Sequence, residues 1–207
     1  MHVGDFIAVD TQPEVTATGF INARHLDDKA GAAVLLGAVK AVVDSGATLP
    51  VDCHPLFTIS EEVGSGASAA LHGDVAEMLT LDNGTTAPGQ NSSEFGVTLC
   101  MADMSGPFDY HLTHYMIRLC QEFQIPYQRD VFRYYRSDSA SAVEAGADLR
   151  TALATFGIDG SHGWERIHWN ALESLTKLVT IYMQSPPLFP RDQDDIGPRM
   201  GFPMQPA

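Results

Sequence analysis

Two adjacent acidic pairs and two further titratable residues are the groups in this sequence that could do chemistry. The pairs are Asp27-Asp28 and Glu61-Glu62, and they are followed along the chain by Asp82 and His162. Adjacent carboxylates repel each other when both are ionised, so a fold that gathers several of them usually needs cations to neutralise the cluster. Carboxylate oxygens and imidazole nitrogens are ligands that divalent ions accept. The pattern therefore indicates a divalent-metal hydrolase.

The acidic groups stand at the ends of predicted secondary-structure elements. Asp27-Asp28 opens a helix that apolar residues at helical spacing predict from Asp28 to about residue 45. Glu61-Glu62 ends a predicted strand at 51–60, and Asp82 ends another at 75–81. Carboxylates at the C-terminal ends of successive strands lie where an open α/β sheet builds its active site. These elements are therefore expected to bring the acidic groups together.

Strands and helices alternate along the rest of the chain. Further strands are predicted at 6–9, 15–22, 95–102 and 127–134, with a weak one at 152–156, and further helices at 110–123, 137–145 and 170–183. Such alternation predicts an α/β fold whose mostly parallel sheet is covered by helices on both faces. The Gly/Pro/Asn/Ser-rich loop at 83–93 is expected either to edge a substrate pocket or to be an ordinary mobile loop.

Composition limits the classes of protein and partner. The 207 residues, 44% of them hydrophobic, suffice for one ordinary α/β domain. The net charge of −14 argues against nucleic acid or an anionic membrane as partner. Cys53, Cys100 and Cys120 are an odd number without CxxC spacing, which is typical of reduced thiols in a cytosolic protein. No apolar run approaches the ~18 residues of a membrane span. A soluble cytoplasmic protein is expected.

Three stretches around the acidic groups, taken together, resemble the metal-site motifs of the M42 aminopeptidases. They are RHLDDKAG at 24–31, ISEEVG at 59–64 and Leu81-Asp82. The family comprises dinuclear zinc or cobalt exopeptidases that form tetrahedral dodecamers. The resemblance therefore implies a zinc-exopeptidase-like fold, short peptide substrates and homo-oligomerisation. It extends from residue 4 to about residue 183. The stretch 161–168 departs from the commoner family ending, in which His is followed by Ser, and is more similar to a bacterial subgroup associated with an osmoprotectant dipeptide system.

The resemblance also implies a role for each candidate residue. Asp27 would bridge two metal ions, with Glu62 and His162 completing the protein ligands of one ion and Asp82 serving the other. Glu61 would be the general base that takes a proton from the attacking water and passes it to the leaving amine. A base beside two dications must stay off the metal to keep its lone pair, so neighbouring glutamates divide into ligand and base. Asp28 would anchor the turn or make a supporting hydrogen bond.

The sequence departs from the family pattern in one respect. The family has a His-x-Asp element upstream of the equivalent of Asp27, whose histidine ligates the same metal as Asp82, and this sequence has no equivalent. We therefore expect an N-terminally truncated chain, whose second metal site lacks its imidazole. Residues 1–14 would be a remnant of the family's β-rich dimerisation domain, 15–183 the C-terminal part of the metallopeptidase catalytic domain, and 184–207 a flexible Pro-rich tail.

Several alternatives remain open at this point. His168 competes with His162 as a ligand, because both lie in one predicted loop before the last helix. The stretch 137–140 is either a turn near the substrate or a plain helix N-cap. For the chain as a whole, the alternative to a peptidase is a catalytically impaired fragment or pseudoenzyme. Hydrolysis of a small acylated amide, or of a glycoside by two carboxylates, is a third alternative.

Overall fold

The computed structural model describes residues 1–71 and 73–190, and a mixed five-stranded sheet lies at its centre. Its strands are β3 (Glu77–Thr85), β4 (Val97–Asp103), β5 (Gly106–Pro107), β6 (Tyr127–Val131) and β7 (Arg150–Ile158). They run in the order β3–β7–β4–β5, and β6 also pairs with β4. The pairs β3–β7 and β4–β6 are parallel, whereas β4–β7 and β4–β5 are antiparallel.

A second, antiparallel sheet of three strands stands beside the first. It consists of β1 (Glu14–Val15), β2 (Phe20–Ala23) and β8 (Glu165–His168). In this sheet β2 is the middle strand, and its Ala23 is paired with Glu165 of β8. The end of β2 and the start of β8 therefore lie side by side, four residues before Asp27 and three residues after His162 in the sequence.

Helices cover both faces of the five-stranded sheet, as the sequence predicts. On one face lie α1 (Leu26–Ser45), α2 (Tyr110–Glu122) and α4 (Trp169–Met183), and on the other lies the short α3 (Asp138–Glu144). Alternate residues of β7, among them Ala154 and Phe156, are buried against the three long helices. Leu153, which points the other way, packs with Phe132 and Cys100. This alternation follows from the period of two along a strand and confirms the α/β class.

Two predicted strands, at 6–9 and 51–60, are wrong. Neither segment pairs with any strand in the described part of the chain, and the side chains of Phe6, Phe57 and Ile59 are exposed. Strand residues need a neighbouring strand for their N–H and C=O groups, and their apolar side chains need a surface to cover. An apolar run predicts a strand, but it does not supply that neighbour.

Two further element boundaries differ from the prediction. Asp82 lies within β3 and not at its end, because the parallel ladder with β7 continues as far as Thr85 and Ile158. The stretch 161–168 is not one continuous loop, since residues 165–168 form β8 and pair with β2. The weak strand predicted at 152–156 is the central part of β7, which is nine residues long and largely buried.

The chain beyond α4 returns to the body of the fold. Residues 184–190 belong to the segment expected to be a flexible tail, yet the Tyr115 hydroxyl donates to the carbonyl of Pro186 and the N–H of Leu188 donates to Glu77. The rest of that segment, 191–207, lies outside the described residues. All three cysteines are free thiols. No helix in the described ranges is long and apolar enough to cross a membrane.

Candidate functional site

Asp27 lies at the junction between β2 and α1, where the backbone departs from helical geometry. Its φ and ψ are −81° and 107°, those of Asp28 are −115° and 42°, and the peptide bond between them is cis. The side chain of Asp27 is only 5% exposed. Its N–H donates to Glu165 Oε2 at 3.0 Å, and Ser161 Oγ donates to Asp27 Oδ2 at 2.8 Å. The loop before β8 and the first residue of β8 therefore hold Asp27 in place.

Glu61 and Glu62 lie in a single turn of 3-10 helix, Glu61–Val63. The residues on either side, Ser60 and Gly64, have positive φ angles of 65° and 84°. The turn is closed by a hydrogen bond of 2.7 Å from the N–H of Gly64 to the carbonyl of Glu61. The left-handed backbone at both flanking residues limits the helical turn to three residues, so the two glutamate side chains extend from one tight turn.

His162 meets Asp27 and Glu62 in space although 135 residues separate it from Asp27 in the sequence. Its Nε2 is 3.1 Å from Glu62 Oε2 and 3.5 Å from Asp27 Oδ2. One ligand atom from each of the three side chains lies within 4.8 Å of the others. Ligand atoms around a tetrahedral zinc ion, with bonds of about 2.0–2.1 Å, are about 3.3–3.5 Å apart. The two distances from His162 Nε2 are close to this spacing, so the three side chains could hold one metal ion together.

Two further carboxyl groups, those of Asp28 and Asp82, lie beside this trio and are partly buried. Burial raises the pKa of Asp28 to about 8, against a lowering effect of the hydrogen bond from the Gly31 N–H, while Asp27 and other nearby carboxylates raise it further. Burial also holds the pKa of Asp82 well above its usual range, with added repulsion from Asp28, Asp27 and Glu61. Oδ1 of Asp82 accepts hydrogen bonds from its neighbour Asn83 at 2.6 and 3.1 Å. Asp82 therefore lies within electrostatic reach of the acidic cluster.

The two glutamates of the turn have different environments. Burial raises the pKa of Glu61 to about 7, and the charges of Asp138, Glu62 and Asp27 raise it further, while His162 lowers it. Burial, followed by repulsion from Asp27, raises the pKa of Glu62 as well. A carboxyl group with a pKa near neutrality can both accept and release a proton, which is what general acid–base catalysis requires. A cation in the cluster would offset the repulsion among all these groups.

His168, the alternative ligand, is engaged elsewhere. Its Nε2 donates to the carbonyl of Thr18 at 3.0 Å, and its Nδ1 accepts from the N–H of Asn170 at 3.1 Å, which caps α4. The ring packs against Phe20 and Phe95, with centroid separations of 4.8 and 4.7 Å. Both ring nitrogens are thus occupied, and the structure brings His162, not His168, to the acidic residues.

The sequence pattern alone missed the residues that support Asp27. Ser161 and Glu165 lie on either side of His162 in the sequence, but nothing in their types or spacing points to Asp27. Glu165 is 1% exposed, and a carboxylate is seldom buried to this extent without a partner. The only indication in the sequence that Glu165 belongs to the site is its position three residues after His162. Its partner became visible only from the pairing of β8 with β2.

Comparison with known proteins places this sequence in a family. A family model described as M42 glutamyl aminopeptidase matches residues 1–178. A protein of Bacillus subtilis (strain 168) with the name "Putative aminopeptidase YhfE" is 38% identical over 184 residues, which are 89% of this chain and 53% of that protein. The chain thus spans about half the length of this curated relative.

Solved structures share the fold at lower sequence identity. The TET aminopeptidase from the marine sediment archaeon Thaumarchaeota archaeon SCGC AB-539-E09 is 22% identical with a TM-score of 0.73, over 83% of this chain and 51% of that one. The TET1 peptidase of Pyrococcus horikoshii, described as able to assemble into a tetrahedron or a large octahedral shell, is 24% identical with a TM-score of 0.69. That match covers 83% of this chain and 52% of the other.

Proposed function

Because this chain belongs to the M42 peptidase family, we propose that it carries the catalytic part of a metal-dependent aminopeptidase that removes N-terminal residues from short peptides. The observation that carries the proposal is the convergence of Asp27, Glu62 and His162, with Glu61 in the same turn as Glu62. These side chains come from three separate parts of the sequence. A chance cluster of surface acids would need neither the histidine nor the buried position of Asp27.

The three side chains suit a divalent zinc or cobalt ion. Two carboxylates and one imidazole leave a fourth position open, as in catalytic zinc sites. Asp27 would be shared between this ion and a second one held with Asp82, whose pKa the charge of Asp27 already helps to raise. A bound divalent ion would polarise the scissile carbonyl and lower the pKa of water. We propose two such ions, one on Asp27, Glu62 and His162 and one on Asp27 and Asp82.

Glu61 moves the proton in this proposal. Its carboxylate takes a proton from the water that attacks the peptide carbonyl carbon, and it then delivers that proton to the amine nitrogen as the C–N bond breaks. The elevated pKa of Glu61, which burial and neighbouring carboxylates produce, supports this role because the group can be protonated and deprotonated near pH 7. Glu62 faces His162 at 3.1 Å and serves as a ligand, so the two neighbouring glutamates have separate tasks.

A second candidate function is metal binding without turnover. It is favoured by one observation: Asp82 is not part of the set of converging ligands found among the described residues, and no histidine joins it there. In that case the chain would be a catalytically impaired fragment or pseudoenzyme. The two candidates share the trio of Asp27, Glu62 and His162. They differ in whether Glu61 has a substrate to act on.

The proposal also covers the domain organisation of the chain, its assembly, its cellular environment and its partners. Residues 15–183 would form the C-terminal part of the catalytic domain, and residues 1–14 a remnant of a dimerisation domain. Homo-oligomerisation is supported by the assembly described for the Pyrococcus horikoshii relative. The free thiols support a reducing cytoplasmic environment. A net charge of −14 makes nucleic acid and anionic membranes poor partners.

The test is hydrolysis of short peptides by the purified chain loaded with Zn²⁺ or Co²⁺. Release of the free N-terminal residue, abolished by chelation and by Glu61→Gln, is the expected result. Asp44→Asn, which changes an exposed carboxylate of α1 that pairs with Lys40, is the matched control and should leave turnover unchanged. Tight metal binding without any turnover in the wild type would favour the second candidate, and no metal binding would contradict both.

A further inference from the structure

Asp138, a buried carboxylate outside the proposed ligand set, lies against the segment that carries Glu61 and Glu62. It is 6% exposed. Asp138 does not cap α3, because Ser137 occupies the N-cap position and accepts from the N–H of Ser139. Its two oxygens point instead to residues 71 and 80 positions away in the sequence. They accept from Ala67 N–H at 2.9 Å and from the Thr58 hydroxyl at 2.6 Å.

These two hydrogen bonds attach both ends of the turn to α3. Thr58 precedes Glu61 and Glu62, and Ala67 follows them. A third contact lies between the two, where Ser141 Oγ of α3 donates to the carbonyl of Gly64 at 3.1 Å. The segment 51–60 has no ladder with any described strand, so sheet hydrogen bonds do not fix it. At Thr58, three residues before Glu61, the segment is held by α3 through Asp138.

The packing at Gly66 shows how closely the segment approaches this carboxylate. A Cβ atom at Gly66 would lie 1.9 Å from Asp138 Oδ1, far inside van der Waals contact. Only a residue without a side chain allows the backbone to come this near. The chain at Gly66, three residues after the turn, therefore packs directly against this carboxylate of α3, which limits how far Glu61 and Glu62 can move.

We propose that Asp138 is a positioning residue, which holds the turn of Glu61 and Glu62 at the distance from Asp27 and His162 that metal binding requires. The inference rests on the proposed function for its metal, but the attachment itself can be measured without one. Residues that support metal ligands typically contribute 10–100-fold to metal affinity. A buried aspartate with no such role would contribute to folding stability alone.

The test compares Asp138→Ala with Asp138→Asn, using Zn²⁺ as the probe in competition with a chromophoric chelator. We expect Asp138→Ala to weaken Zn²⁺ binding by about 10–100-fold. Asp138→Asn should stay close to the wild-type affinity. Its amide oxygen can still accept from Ala67 N–H, and its NH₂ group can donate to the Thr58 hydroxyl, which is free to act as acceptor. Hydrogen exchange of residues 58–67 should accelerate in Asp138→Ala alone.

Asp130→Ala is the matched control. Asp130 is 7% exposed, and its Oδ2 accepts from Gln90, Asn91 and Ser92 in a different loop. We expect this variant to lower the melting temperature without changing Zn²⁺ affinity or the exchange of residues 58–67. If Asp138→Ala fails to fold, Thr58→Val can replace it, because it removes only one of the two hydrogen bonds to Asp138. We expect it to weaken Zn²⁺ binding and accelerate the exchange of residues 58–67, each to a smaller extent.

Three outcomes would overturn the proposal. One is equal loss of Zn²⁺ affinity in Asp138→Ala and Asp130→Ala, which would mean general destabilisation. A second is wild-type affinity in Asp138→Ala, or in Thr58→Val where that variant replaces it. The third is unchanged exchange of residues 58–67. If the wild type itself does not bind Zn²⁺, the proposed ligand set fails, and faster exchange in Asp138→Ala would still support the attachment of the turn to Asp138.

Discussion

The metal-free chain should lose stability as the pH rises from 5 to 8. Asp28 has an ordinary pKa of 3.8 and a folded-state pKa raised to about 8, chiefly by burial, and Glu61 has a folded-state pKa raised from 4.5 to about 7. Between these values the folded state holds protons that the unfolded chain has already released. Stability is therefore highest below the unfolded pKa values and is lost as the pH rises through the folded ones.

The size of the stability change follows from the pH range over which the folded and unfolded states bind different numbers of protons. Each pH unit of that window is worth about 1.4 kcal/mol for one group, so Asp28 alone sets an upper limit of about 4 kcal/mol between pH 5 and pH 8. Water that enters the site raises the effective dielectric constant and reduces this change in the free energy of unfolding, for which we take about 2 kcal/mol as the lower limit. Glu61 is only half-buried and adds less. In a domain of this size, 2–4 kcal/mol corresponds to roughly 5–15 °C in melting temperature.

The assay is thermal unfolding followed by circular dichroism, in chelator, from pH 5 to pH 8. Asp28→Asn keeps an acceptor for the N–H of Gly31 but cannot ionise, so most of the pH dependence should disappear. Asp44→Asn on the same helix, with an exposed side chain, should retain the wild-type slope. Saturating Zn²⁺ should restore much of the stability at pH 8, because the cation offsets the repulsion. A melting temperature that is constant or rises from pH 5 to pH 8, or an unchanged slope in Asp28→Asn, would refute the reasoning.

Three substitutions test other parts of the account. His162→Ala should weaken Zn²⁺ binding by at least about 100-fold, since it removes a ligand, and unchanged affinity in a chelator competition would take this histidine out of the ligand set. Glu61→Gln should keep Zn²⁺ affinity but lower peptide turnover by about 10²–10⁴-fold, and retained turnover would place the base elsewhere. Gly31→Ala should destabilise the fold by about 1–3 kcal/mol in denaturant unfolding, because its Cβ would lie 2.4 Å from the carboxylate oxygens of Asp28. Gly37→Ala in the same helix meets only an ordinary contact at 3.4 Å and should be neutral or stabilising; an equal loss in both would contradict the steric argument.

The helices could be predicted from the sequence because their signals are local. Periodic apolar residues and a terminal glycine place α1, and Gly46 ends it with a left-handed φ of 66°. The helices α2 and α4 likewise lie within a residue or two of their predicted ends. Strands depend on partners distant in the sequence, which explains both the wrong strand at 51–60 and the missed β8. For the same reason the sequence did not predict that the five-stranded sheet is mixed, with β4 antiparallel to β7.

The candidate site could be predicted in part for the same reason. The ordered acidic motifs indicated Asp27, Glu62 and His162, and the structure brings them together. The choice between His162 and His168 could not be made, because it depends on β8, which fixes the ring of His168 between aromatic residues. The support from Glu165 also depends on a contact across 138 residues of sequence, and local pattern carries no information on such contacts.

The most direct test of the proposed metal site is anomalous diffraction at the zinc edge from crystals of the chain grown with Zn²⁺. We expect a peak about 2.0–2.2 Å from one oxygen of Asp27, one oxygen of Glu62 and Nε2 of His162, with Glu61 outside bonding distance. A zinc peak on other residues, or none at these three under conditions that saturate binding in solution, would contradict it.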